Sequence, residues 1–186
     1  MTLANAEVAD YARQLEAVVR DAQALCAPLS AEAFNRQPGP GRWSAGQCLE
    51  HLNITNRAML AGMRPAAERI RAGGRRAAGP TRHGWLMKWL ISTMEPPAKR
   101  RLRTRPSFVP PGTLSKTEVL KEFVALHGEA VRLLETVDGY DLGAAKMQSP
   151  FFGLLWYKLG SGLALMAAHD RRHVGQAKDA VKQYSP

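Results

Sequence analysis

The sequence predicts an all-α fold, a four-helix bundle with a long irregular crossover between its second and third helices. Three observations carry this. Apolar residues recur at steps of three and four over several long stretches. No run of alternating polar and apolar residues argues for a sheet. Six prolines between Pro80 and Pro111 forbid a continuous helix there. At 186 residues the chain fits one domain, 1–186, with enough apolar content, 45%, to bury a core without disulfides or a structural metal.

Each element has a local reason. Residues 4–27 are amphipathic, with Val8, Tyr11, Ala12, Leu15, Val18, Ala22 and Leu25 on one stripe, and Pro28 ends them. NRQPGPGR at 35–42 reads as a loop. The second long helix is predicted from Ser44 to about Arg71. Ser44 and Gln47 form a capping box, Trp43 and Cys48 a hydrophobic staple, and Gly73-Gly74 a stop. Pro65 falls inside it as a point for a kink. The crossover, 73–112, contains one short helical piece around Trp85 to Ile91. Ser115 and Glu118 form a second capping box, opening a helix to about Val137. The last helix is placed within 154–184, its start blurred by Gly153, Gly160 and Gly162.

Charge and cysteine content narrow the setting. The net charge of +10 lies in residues 64–105, which hold twelve Lys or Arg against Glu68 and Glu95. Such a block suits an anionic partner or a solvated connection. No zinc-finger spacing or aromatic RNA-binding pattern accompanies it, so nucleic acid is not the expected partner. Cys26 and Cys48 make no disulfide framework, which fits a reducing, cytoplasmic location. The opening residues predict no signal peptide. The apolar stretch 151–168 is cut by Lys158 and three glycines, so no membrane span is expected.

The chemistry-bearing pattern is His169-Asp170-Arg171-Arg172-His173. Two histidines four apart share a helix face and can reach one metal ion. His51, in GQCLEHLNIT on the second helix, is the candidate third ligand, since a bundle brings inward residues of different helices together. Read alone, it equally fits a hydrogen-bonded core histidine. Gln47, Asp170 and Gln176 are the nearest orienting partners, although the helix wheel turns Asp170 away toward a salt bridge with an arginine. The pair lacks the Glu of His-Glu-x-x-His, which disfavours peptide hydrolysis. His127 falls on an inward stripe, His83 in a solvated segment, and Trp156, Tyr157 and Met166 read as core. Cys48 reads as a small buried hydrophobe.

RWSAGQCLEHLNIT, SPFFG followed by AAHDRRHVGQA, and the interval TRPSFVPPGTLSKTEVLKEF together resemble the DinB/YfiT-like superfamily from about Val8 to Ala180. The resemblance implies an up-down-down-up bundle, often dimeric. It also implies a divalent metal (Zn, Ni or Fe) held by histidines at the positions of His51, His169 and His173. Members include metal-dependent hydrolase-like proteins and transferases that use a low-molecular-weight thiol as cosubstrate. The expected function is therefore a metal-dependent thiol S-transferase or hydrolase acting on a small molecule. The alternative is a non-enzymatic stress-related or regulatory binding protein that uses segment 64–105. At this point the residues leave the two open.

Overall fold

The structure is a computed structural model and describes residues 3–96 and 103–183. Four long helices dominate it: α1 (Ala6–Cys26), α3 (Ala45–Gly73), α5 (Lys116–Thr136) and α6 (Leu159–Lys182). Between them lie α2 (Ala31–Asn35), α4 (Trp85–Met94), a 3-10 turn at Pro106–Phe108, and a hairpin of β1 (Lys146–Gln148) and β2 (Trp156–Lys158). No helix among the described residues is long and apolar enough to cross a membrane.

The capping chemistry reads directly. Asn5 caps α1, accepting from the N–H groups of Glu7 and Val8. Ser44 and Gln47 form the complete capping box at the start of α3. Gly74, at φ 67°, ends α3 in the left-handed region that favours glycine. At α5 only half of the expected box forms, Ser115 accepting from the Glu118 N–H. Pro65 sits inside α3 without ending it.

Two apolar clusters give the directions of the long helices. One joins Val8 and Leu15 of α1 to Met63 and Ile70 late in α3, Leu134 late in α5, and Leu159 and Leu163 early in α6. The other joins Ala22 and Cys26 late in α1 to Leu49 and Leu52 early in α3, Val119 and Phe123 early in α5, and Val174 of α6. The order is therefore up, down, down, up. α1 and α3 each pack on both α5 and α6, so α1 stands diagonally from α3 and α5 from α6. Because α3 and α5 run parallel, the chain must return along the bundle's length before α5 begins. α3 has 29 residues and so is roughly 43 Å long. That return explains the crossover, whose helix α4 packs on α6.

The first connection holds a short helix, α2, in a stretch the sequence leaves unassigned, and its Phe34 is fully buried. Two expectations need correction. A two-stranded antiparallel ladder exists, pairing Lys146 with Lys158 and Gln148 with Trp156. The last helix, Leu159–Lys182, lies within the expected span 154–184, and its blurred start is fixed by β2 at 156–158. Residue 184 lies outside the described residues. Trp156 is 53% exposed and is not core, whereas Met166 is.

The basic segment is partly tied down. Arg64 pairs with Glu129, Arg75 with Asp141, and Arg76 lies 4.3 Å over the Tyr140 ring. Residues 97–102, with Lys99, Arg100 and Arg101, lie outside the described residues.

Candidate metal centre

The cap at Ser44 fixes where α3 begins, and so places His51 in its second turn, facing α6. α6 presents His169 and His173 one turn apart. Ring centroids lie 5.2 Å (His51–His169), 4.5 Å (His51–His173) and 4.6 Å (His169–His173) apart. One ring nitrogen from each residue lies within 4.8 Å of the others. The bundle thus brings together all three histidines that the sequence singled out.

His51 donates from Nδ1 to the Phe108 carbonyl oxygen at 2.8 Å. That fixes the tautomer and turns the Nε2 lone pair into the cluster, where it stands 3.3 Å from His169 Nε2. Two nitrogens bound at about 2.0–2.1 Å to one tetrahedral ion stand about 3.4 Å apart, so this pair has a suitable separation. His169 Nδ1 and His173 Nδ1 are buried and meet no hydrogen-bond partner. His169 faces His51 through Nε2, so the fit to a cation rests on the converging nitrogens rather than on these Nδ1 atoms.

The electrostatics point the same way. Burial pushes the His51 ring below its ordinary range, against the Phe108 carbonyl and the Asp170 charge. Burial and the neighbouring His51 push His169 down to about 3, opposed by Asp170 and helped by Arg172. His173 is lowered well below its ordinary value by burial first, then by His169, His51 and Arg172. Neutral imidazoles are the form that ligates metal.

The cluster opens into a cavity of about 580 Å³. Trp43 packs 4.8 Å from His51 and 5.8 Å from His173, and Phe151 lies 6.4 Å from His169. Gln176 lines the cavity one turn of α6 from His173.

The other expected residues divide. Gln47 belongs to the cap and to Gln37 rather than to a ligand. Among the described residues Asp170 meets no arginine. It is fully buried, accepts from Asn56 Nδ2 at 3.0 Å, and faces His127 Nε2 at 3.1 Å. A charge with no exposure needs such partners, and the buried faces of α3 and α5 supply them. His127 therefore stands outside the cluster. His83 is not simply solvated: its Nδ1 pairs with Ser161 Oγ at 2.9 Å. Cys48 lines the cavity, but burial pushes its thiol up to about 12, which fits a packing role. Sequence reasoning missed the Phe108 carbonyl and the buried Arg172, because neither a backbone acceptor nor the depth of an arginine leaves a residue pattern.

The model of the DinB superfamily matches residues 14–177. Among solved structures, YfiT from Bacillus subtilis matches with a TM-score of 0.61 at 14% identity, covering 97% of this chain and 89% of that one. YfiT is described as a probable metal-dependent hydrolase with an unusual four-helix bundle topology. At this identity the likeness shows the fold alone. No curated protein matches the chain.

Proposed function

The chain belongs to the DinB superfamily, and we propose that it is a metal-dependent enzyme acting on a small molecule. His51, His169 and His173 hold one divalent cation at the wall of the adjoining cavity. The single observation that carries this reading is the convergence of three ring nitrogens, from two helices, within 4.8 Å of one another. An all-imidazole donor set suits Zn²⁺, Ni²⁺ or Fe²⁺ over Mg²⁺ or Ca²⁺, which prefer oxygen. When bound, such an ion supplies Lewis-acid polarisation and makes water or a thiol nucleophilic near neutral pH.

The protein's part is positioning. The Phe108 carbonyl fixes the His51 ring, and Trp43 and Phe151 shield the cluster from bulk water. The Arg172 charge opposes protonation of His169 and His173. Hydrolysis is the reaction that the description of YfiT supports. A second reading, transfer of a low-molecular-weight thiol, has its own support. Among the described residues no carboxylate joins the histidine cluster, and Asp179 is the acid that lines the cavity. A thiol reacts as its thiolate without a general base beside it. A homodimer belongs to the same proposal, and sedimentation velocity tests it.

Metal analysis of untagged protein tests the centre. About one divalent ion per chain is expected, lost in His169→Ala with the helical content retained. Full metal content in that variant would overturn the assignment. Ester hydrolysis and thiol conjugation, each assayed with and without chelator, then separate the two chemistries.

A further inference from the structure

The cavity continues past the histidines in both directions. Along α3 its wall passes from His51 through Thr55 to Met59, two turns or about 12 Å. Along α6 it runs from Leu165 to Ala180, roughly 22 Å. The histidines stand partway along it, so a substrate reacting there can extend on either side.

The arm toward Met59 is deep and apolar, walled by Met59, Leu165, Phe151 and Leu155. The first exceptions to this wall are Thr55, Ser149 and Tyr157, all engaged or enclosed by the protein. Thr55 Oγ1 donates to the His51 carbonyl oxygen at 2.9 Å, and Ser149 Oγ accepts from the N–H groups of Phe151 and Phe152, both at 3.2 Å. The Tyr157 ring is 3% exposed and its hydroxyl faces Ser149; burial pushes the phenol up to about 12, opposed by Ser149, so it is uncharged at neutral pH. This arm is therefore left to an apolar group.

The second exception is charge. Four arginines, Arg42, Arg103, Arg105 and Arg172, line the cavity against one acid, Asp179. Arg172 is 5% exposed and donates to the Thr93 carbonyl oxygen at 3.1 Å, a cation held within the wall. Arg105 bonds to the Phe151 carbonyl oxygen and lies 5.7 Å over the Phe152 ring. Guanidinium groups recognise carboxylate and phosphate through paired N–H donors.

We propose that this cavity takes an anion with an apolar body, its alkyl or aryl part against the wall toward Met59 and its carboxylate or phosphate held by the arginines. The inference rests on the metal reading for where reaction occurs, but not for binding.

The test is calorimetric titration with decanoate, butyrate and 1,10-decanediol, using metal-loaded and chelator-stripped protein. Decanoate is expected to bind tightest, with the uncharged diol about tenfold or more weaker and butyrate, which lacks the apolar body, weaker by about tenfold or more. Arg105→Gln should weaken decanoate about threefold or more and spare the diol. The proposal fails if the diol or butyrate matches decanoate, or if Arg105→Gln leaves decanoate unchanged. It also fails if stripping the metal abolishes acid binding alone, since the ion rather than arginine would then read the carboxylate. Protein that holds no metal yet keeps the expected order would sink the metal centre and leave this inference standing.

Discussion

His127 and Asp170 meet in the interior with 1% and 0% exposure. Both nitrogens of the His127 ring face acceptors, the Phe123 carbonyl oxygen at 2.8 Å and Asp170 Oδ2 at 3.1 Å. Only the doubly protonated ring donates to both. Burial opposes that charge, but Asp170 and the Phe123 carbonyl outweigh it, and the ring's pKa is raised above its ordinary value of 6.5. A raised pKa in the folded state stabilises fully below the unfolded value, and the gain fades as pH rises through the folded one. The three site histidines, lowered in the fold, tilt stability the other way. The effect of His127 is therefore read as a difference between proteins. The urea midpoint of wild type should exceed that of His127→Gln most at pH 5.5–6, with the gap narrowing toward pH 9. A gap that widens with pH would refute the charged ring. The sequence placed His127 on an inward stripe, but it carried no sign of the partner. The helix wheel turns Asp170 toward a salt bridge with an arginine, and only the packing of α3, α5 and α6 shows that it is enclosed.

At the scale of elements, legibility followed locality. The starts of α3 and α5 were readable because caps are set by residues three apart. The hairpin and the true start of α6 were not, because the ladder is three residues long and depends on contacts with helices distant in sequence. Gly160 and Gly162 lower helix propensity and blur the start of α6 in the sequence, and both lie inside it. A Cβ on Gly162 would stand 2.6 Å from Met147 Sδ and 3.1 Å from Tyr157 Cε2, and one on Gly160 2.2 Å from Thr81 Oγ1. The glycines let the hairpin and the crossover lie against the helix. Gly162→Val should cost about 1–3 kcal/mol, a fall in Tm of several degrees, with metal content unchanged. A variant as stable as wild type would mean that the hairpin is not held against α6 there. The histidine trio was legible because its i, i+4 spacing and the cap ahead of His51 are both local. The place of Tyr157 in the cavity wall was not, because β2 itself was unforeseen.

At the scale of the molecule, the proposed metal bridges the early part of α3 to the later part of α6. A ligand that binds only the folded chain stabilises it by mass action, about 2.7 kcal/mol at a hundredfold excess over Kd. Chelation should therefore lower Tm by roughly 5–10 °C in the wild type and leave His169→Ala unmoved. Equal shifts in both proteins would assign the effect to another site.

The diagonal placement of α1 and α3 bears on how the chain is made. Each buries its apolar stripe against α5 and α6, which leave the ribosome later, while the two barely touch each other. The first hundred or so residues therefore emerge with two greasy faces and nothing to cover them. Folding has to wait for the second half, and a nascent chain is a client for holdase chaperones until Phe123 and Leu134 arrive. A chain ended at residue 115 should show little helical circular dichroism and should aggregate. If that fragment proved stable and monomeric, the two early helices would have some other way of packing.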